Sequence, residues 1–215
     1  MTPPSLALFH DLAGALSTRL VDAAVRSGAE ADDLRWFGAR VAALALKPIT
    51  PVSPSAALPV LGHWRAALAA AEADVPDLAR PLATIAPSLA WTQNPNYRRR
   101  PPTPDFLARY GYAQIAGPEG PIEDAGLAMG VLLLAPGTLY PSHRHPAVEL
   151  YCALDGQAEW WREGQDWRRL PPGSLIHHPS GVAHAMRAGE APFFALYLWR
   201  GDLATAAVLI DSPHA

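Results

Sequence analysis

The first ninety or so residues carry apolar side chains at helical spacing. In "SLALFHDLAGALSTRLVDAAVRSG", Leu6, Phe9, Leu16 and Leu20 fall near one face and Gly28 supplies a stop. "DDLRWFGARVAALAL" repeats the pattern with Leu34, Phe37, Val41 and Leu44. A proline-rich break, "KPITPVSPS", separates these from two further helical stretches, "VLGHWRAALAAAEADV" and "DLARPLATIA". The texture changes at Trp91. "WTQNPNYRRRPPTPDF" reads as a connector whose basic run, Arg98 to Arg100, is a solvated surface patch. Beyond it, short apolar runs alternate with Gly/Pro turns: "YGYAQIAGP", "GLAMGVLLLAPG", "VELYCALDG", "GSLIHHPSG" and "FFALYLWRGD". Many short strands punctuated this way predict an antiparallel barrel or jelly roll. The expected organisation is a helical segment over residues 1–90 packing on the barrel, a connector over 91–104 and a mainly β barrel over 105–215.

Composition narrows the partners. The chain has 215 residues, half of them hydrophobic, which is enough for a sizeable core. A net charge of -3 gives no electrostatic footprint for nucleic acid or an acidic membrane surface. The near balance of charge in the helical segment speaks against a DNA-binding helix pair. The single cysteine, Cys152, excludes an internal disulfide. No apolar run is long enough to predict a membrane span, and the N-terminus lacks the layout of a signal peptide, so the expected location is the cytoplasm. Lys47 is the only lysine, which makes a lysine base or Schiff base an unpromising mechanism.

The candidate chemistry lies in "YPSHRHPAVELY", Tyr140 to Tyr151. His143, His145, Glu149 and Tyr151 are all odd-numbered, so extended backbone projects them from one face while Leu150 and Cys152 face the other way. Two imidazoles and a carboxylate make half a metal cage, and His184 in "GSLIHHPSGVAHAM" is the candidate fourth ligand. Gly137, His143, His145, Glu149 and Gly156, followed by Gly173, Pro179, Gly181 and His184, have the spacing of the two cupin motifs; Ala188 stands where the second usually ends in asparagine. Resemblance to those motifs implies a double-stranded β-helix, or jelly-roll, and three imidazoles with one carboxylate suit one divalent or trivalent transition metal ion: Zn, Fe, Ni, Co or Mn. Four protein ligands on a six-coordinate ion leave two open positions, which implies substrate or water chemistry.

Beside the metal, Tyr151 and Tyr140 are either proton-transfer groups or plugs in the barrel. A divalent cation nearby favours a phenolate that could act as a base. Tyr197 and Trp199 share a strand face and either wall the pocket, where aromatic faces attract onium cations, or fill the core. His177 and His178 read as strand residues near the mouth. His10, His63 and His214 have no partner pattern.

"GTLYPSHRHPAVELYCALDGQAEWW", "PPGSLIHHPSGVAHAMR" and "ALYLWRGDL" resemble the cupin-type dimethylsulfoniopropionate lyases, and "WTQNPNY" and "YGYAQIAGPEGP" resemble the lead-in of their longer members. The likeness runs from about Trp91 to Leu203. It implies metal ligands at His143, His145, Glu149 and His184, a catalytic base at Tyr151, a second active-site tyrosine at Tyr140 and a pocket tryptophan at Trp199. The reaction implied is cleavage of dimethylsulfoniopropionate to dimethyl sulfide and acrylate. The alternatives are a metal-dependent dioxygenase or isomerase acting on another small carboxylic acid, and a non-catalytic small-molecule-binding cupin. The helices are expected to help close the pocket mouth, with Tyr97 as a lid residue contacting substrate, or to serve contacts in a homodimer.

Overall fold

The computed structural model describes residues 6–50, 52, 57–85, 89–155 and 157–210; Gly156 and His214 lie outside them. Four helices come first: α1 (Leu6–Arg26), α2 (Ala31–Leu44), α3 (Trp64–Asp74) and α4 (Pro76–Ile85). The connector is more structured than its composition suggests. It holds a short strand, β1 (Trp91–Thr92), paired antiparallel with the next strand, and a short helix, α5 (Pro95–Arg99). The Asn94 side chain caps α5 by accepting from the Asn96 backbone N–H at 2.8 Å.

Ten further strands complete the barrel: β2 (Tyr110–Ala116), β3 (Leu127–Leu134), β4 (Leu139–Arg144), β5 (Val148–Ala153), β6 (Glu159–Arg162), β7 (Arg168–Arg169), β8 (Leu175–His178), β9 (His184–Arg187), β10 (Phe193–Arg200) and β11 (Val208–Leu209). They form two antiparallel sheets, a six-stranded one ordered β1-β2-β3-β10-β5-β8 and a five-stranded one ordered β11-β4-β9-β6-β7. This is the jelly-roll arrangement, with the N-terminal helices added to one side.

Alternation along the strands sorts the core into two layers. On β5, Tyr151 and Ala153 face the barrel interior, while Leu150 and Cys152 face outward. On β10, Phe193, Ala195 and Tyr197 face inward and Phe194, Leu196 and Leu198 outward. The outward set packs against Leu16, Leu20, Phe37, Val41, Leu78 and Leu82 of the helices. That is why β3, "LAMGVLLL", is apolar throughout: a strand covered on both faces has no polar side to show. Fully burying each of these apolar side chains contributes about 1.5–3 kcal/mol, so the helical layer is integral to the sheet it covers.

Two buried or half-buried carboxylates fasten the layers. Asp124, before β3, accepts from Arg40 of α2 at 2.7 Å and from Lys47 at 2.8 Å, and its Oδ1 also takes the Gly126 and Leu127 backbone N–H groups. The single lysine is thus occupied in a structural contact. Asp33 of α2 pairs with Arg200 at the end of β10 and sits 2.8 Å from His177 Nε2 of β8. Arg200 also lies over the Trp36 ring. No helix among the described residues is long and apolar enough to cross a membrane.

Candidate metal centre and its cavity

The chain builds the candidate site from both sheets rather than from one wall. His143 lies on β4 of the five-stranded sheet, and His184 opposes it in register on β9. His145 sits in the turn after β4; Glu149 and Tyr151 lie on β5 of the six-stranded sheet. The corner between β4 and β5 carries the chain from one sheet to the other with the odd-numbered side chains still facing inward. All four candidate ligands are buried.

Local hydrogen bonds orient each imidazole in the same way. His143 Nδ1 lies 2.9 Å from the Pro141 carbonyl, His145 Nδ1 3.1 Å from that of Ala147, and His184 Nδ1 3.0 Å from that of Val182. A carbonyl only accepts, so each Nδ1 carries the proton and each Nε2 keeps a lone pair for the site. Glu149 Oε2 lies 2.9 Å from His145 Nε2 and 3.0 Å from His184 Nε2. His184 Nε2 is nonetheless buried with no hydrogen bond of acceptable geometry. Lone pairs gathered around a carboxylate oxygen require a positive charge between them, either a second proton or a metal ion.

The donor atoms of His145, Glu149 and His184 all lie within 4.8 Å of one another. The His143 ring stands beside them, its centroid 4.1 Å from that of His184. Burial, and then the neighbouring His184, hold the His143 pKa well below its ordinary value, which disfavours an added proton there. Burial works against charge on Glu149, yet His145 and His184 hold its pKa well below the usual carboxylate range. Three imidazole nitrogens and one anionic oxygen fit a borderline transition-metal ion.

Aromatic rings brace this set. Trp199 Nε1 donates to Glu149 Oε1 at 2.6 Å, and its ring stacks on His145 with centroids 4.0 Å apart. Tyr140 stacks on His143 at 4.2 Å, and its hydroxyl lies 3.2 Å from that of Tyr97. Tyr151 is buried beside Glu149; burial first, and then the carboxylate, raise its pKa well above the ordinary phenol value. Tyr140 is raised in the same direction by burial and by Tyr110.

A cavity of about 660 Å³ opens over Glu149. Tyr140, Tyr151, Tyr197 and Trp199 line it, together with Tyr110, Tyr112 and Gln114 of β2. Among the described residues, no lysine or arginine does so. Asn94 and Pro95, Pro118 and Glu119, and residues of the 201–207 segment also line the cavity. Among the described residues of the N-terminal helices none lines this cavity; they cover the outer face of the six-stranded sheet. Tyr97 is not a surface lid either: it is 1% exposed and lies behind Tyr140, packed against Phe106 and Tyr110.

Two tyrosines at the site were not singled out from the sequence, and His178, read there only as a strand residue near the mouth, stands beside the candidate ligands. Tyr110 and Tyr112 were legible in principle, since period-two alternation puts them and Gln114 on one face of β2. His178 was not: it opposes Glu149 across the β5–β8 pairing and stacks on His184 at 4.1 Å and 10°, both ring nitrogens buried without a partner. His177, its neighbour, faces the helices instead.

The comparisons with known proteins converge. The sequence profile of the dimethylsulfoniopropionate lyase family matches residues 34–195. The chain is 48% identical over 105 residues to the dimethylsulfoniopropionate lyase DddQ of Ruegeria pomeroyi, covering 49% of this chain and 52% of that protein. It is 36% identical over 153 residues to the putative dimethylsulfoniopropionate lyase DddL of Cereibacter sphaeroides, covering 69% of this chain and 62% of that one. The matched regions thus span between half and two thirds of these curated relatives. The crystal structure of DddQ from Ruegeria pomeroyi superposes with a TM-score of 0.66 at 32% identity, over 91% of this chain and 96% of that one. The histidine–glutamate cluster, the helix-backed jelly roll and the profile match lead to one conclusion: the chain belongs to the dimethylsulfoniopropionate lyase family.

Proposed function

We propose that the chain is a metal-dependent carbon–sulfur lyase that cleaves dimethylsulfoniopropionate to dimethyl sulfide and acrylate by β-elimination. One observation carries this reading: the donor atoms of His145, Glu149 and His184 lie within 4.8 Å of one another with the His143 ring beside them, and Glu149 opens onto an aromatic cavity whose lining, among the described residues, includes no lysine or arginine. His143, His145, Glu149 and His184 would hold the ion, of which Zn, Fe, Ni, Co and Mn all suit the donor set. When bound, a divalent or trivalent cation supplies Lewis-acid stabilisation of the negative charge that develops on a substrate carboxylate as the α-proton leaves.

The chain's own residues supply the rest. With no lysine or arginine among the described residues of the wall, the carboxylate end of the substrate is directed to the end of the cavity where Glu149 is exposed to it, with the histidines behind. The sulfonium end is left against Tyr197, Trp199 and Tyr112, whose ring faces attract a cation. Tyr151 takes the α-proton at its phenolate oxygen. The electrons of that C–H bond form the new C=C bond, and the C–S pair leaves with sulfur as neutral dimethyl sulfide. Burial and Glu149 hold Tyr151 as a neutral phenol in the metal-free protein, so its role as a base depends on cationic charge held by its neighbours. Tyr140, stacked on His143, is the second tyrosine placed to hold the reacting carbon chain, and Tyr97 acts through it.

Headspace gas chromatography for dimethyl sulfide, paired with NMR detection of acrylate, tests the reaction on purified metal-loaded protein. Equimolar release of both is expected. Tyr151→Phe should keep its metal and lose turnover by at least about 100-fold, within the usual range for a general base. Undiminished turnover in that variant would remove Tyr151 from the role, and absence of both products from the wild type would remove the reaction.

A further inference from the structure

Trp199 touches the candidate metal centre in two ways at once. Its indole N–H donates to Glu149 Oε1 at 2.6 Å, a charge-assisted bond at the short end of the range, and its ring lies on His145 at 4.0 Å with 29° between the planes. One face of the indole remains half-buried at the cavity wall. The two carboxylate oxygens therefore have separate partners. Oε1 belongs to the indole, and Oε2 alone lies among the imidazole nitrogens, 2.9 Å from His145 and 3.0 Å from His184.

A glutamate free at both oxygens can close on a metal ion with either one or two of them. Each oxygen added by the protein removes a position that a substrate carboxylate would need. A donor held against Oε1 biases Glu149 toward one-oxygen ligation, and a ring held against His145 fixes the tilt of that imidazole.

We propose that Trp199 is a positioning residue that keeps Glu149 a one-oxygen ligand and so preserves an open coordination position for substrate. This rests on the metal-dependent lyase reading above and adds to it a determinant of ligand geometry. Register explains why a tryptophan can do this. Trp199 on β10 is the Cα partner of Glu149 on β5, so the two side chains leave neighbouring strands on the same inward face. Arg200, the next residue, is fastened to Asp33 of α2 and lies over Trp36, which ties the end of β10 to the helical layer.

The test compares wild type, Trp199→Phe and Trp199→His, each checked for folding by circular dichroism and stripped of metal with a chelator. Zn²⁺ affinity is read by competition with a chromophoric chelator, and the ligand field by the visible absorption of the Co²⁺-loaded protein. Trp199→Phe keeps a stacking ring and loses the donor. It should bind Zn²⁺ about 10–100-fold more weakly, the usual cost of losing a hydrogen bond to a metal ligand. Its Co²⁺ bands should also weaken, as they do when coordination number rises. Trp199→His returns an N–H on an aromatic ring and should recover part of both signals. Wild-type affinity and spectrum in Trp199→Phe would overturn the proposal, as would equal losses in the two variants, which would assign the effect to ring volume. A wild type that takes up neither ion would overturn this proposal together with the metal-dependent reading, whereas a wild type that binds both would leave the reading intact whatever the variants do.

Discussion

Tyr197 lies directly over Gly130: a methyl group added at Gly130 would stand 2.7 Å from both its Cε1 atom and its hydroxyl oxygen. The two residues are register partners on β10 and β3, so the ring crosses the one position on β3 where no side chain rises to meet it. The same methyl would collide with the Ala113 carbonyl across the β2–β3 pairing. Gly130 thus makes the space in which an aromatic wall of the cavity lies flat. Gly130→Ala should destabilise the protein by about 1–3 kcal/mol or more, as overpacking of a filled interior does. A urea melt measures this, and an unchanged midpoint would contradict the packing described.

The Tyr197 hydroxyl itself is buried without a hydrogen-bond partner. A buried unpaired hydroxyl costs about 1–3 kcal/mol of desolvation with nothing gained in return. Tyr197→Phe should therefore leave thermal stability equal to the wild type or slightly higher. Because the ring face is retained, substrate KM should change little. A clear drop in stability would mean that the hydroxyl has a partner after all.

Asp124 links α2 to the barrel and makes stability sensitive to acid. Burial alone would raise its pKa, but hydrogen bonds from Arg40, Lys47 and the backbone N–H groups of Gly126 and Leu127 outweigh this and pull it from 3.8 to about 2. A carboxylate with a depressed folded-state pKa contributes stability that is complete above the unfolded value and is lost as pH falls through the folded one. The contribution, roughly 2 kcal/mol, should fade between about pH 4 and pH 2. Asp124→Asn should lower stability at neutral pH and flatten that part of the stability–pH curve. The same acid dependence in variant and wild type would assign the effect to other carboxylates.

Parity along single strands was readable from the sequence, and pairing between distant strands was not. Glu149 and Tyr151 inside with Leu150 and Cys152 outside follows from alternation alone. So does the split of Trp160 and Trp161 between the inner core and a separate outer cluster. The two-sided apolar run of β3 carried a further signal, that the sheet is covered by another layer, and the helices are that layer. His178 reaches the site only because β8 pairs with β5 in one register, a long-range fact with no local mark. The Trp199–Glu149 bond joins residues 50 apart in sequence for the same reason. The switch between sheets at the β4–β5 corner is likewise hidden, since the alternation of side chains survives it.

Removing metal should cost stability in a pH-dependent way. In the metal-free protein, burial and His184 hold the His143 pKa well below its ordinary value of 6.5. The unfolded chain then takes up a proton near pH 6.5 that the folded chain resists, so stability falls as pH drops below about 6.5. An ion bound to the folded state opposes this by mass action, about 2.7 kcal/mol at 100 times its dissociation constant. Thermal melts of stripped and reloaded protein from pH 8 to pH 5 should show a higher midpoint for the loaded form throughout. Metal content after dialysis should decline in the acidic half of that range. Identical melts for both forms would show that the histidine–glutamate set holds no ion.

Tyr97 and Tyr140 can be separated by kinetics. Their hydroxyls are 3.2 Å apart, and Tyr140 alone of the two lines the cavity. If Tyr97 acts only by holding Tyr140, Tyr97→Phe removes one neutral hydrogen bond, whose net worth is about 0.5–1.5 kcal/mol. That converts to a fall in kcat of about 2–10-fold, with KM unchanged because no contact with substrate is lost. Tyr140→Phe should reduce kcat further, and the double variant should do no worse than Tyr140→Phe alone, because the first residue works through the second. Steady-state rates of acrylate formation across the four proteins decide the matter. A raised KM in Tyr97→Phe, or losses that multiply in the double variant, would place Tyr97 in direct contact with substrate.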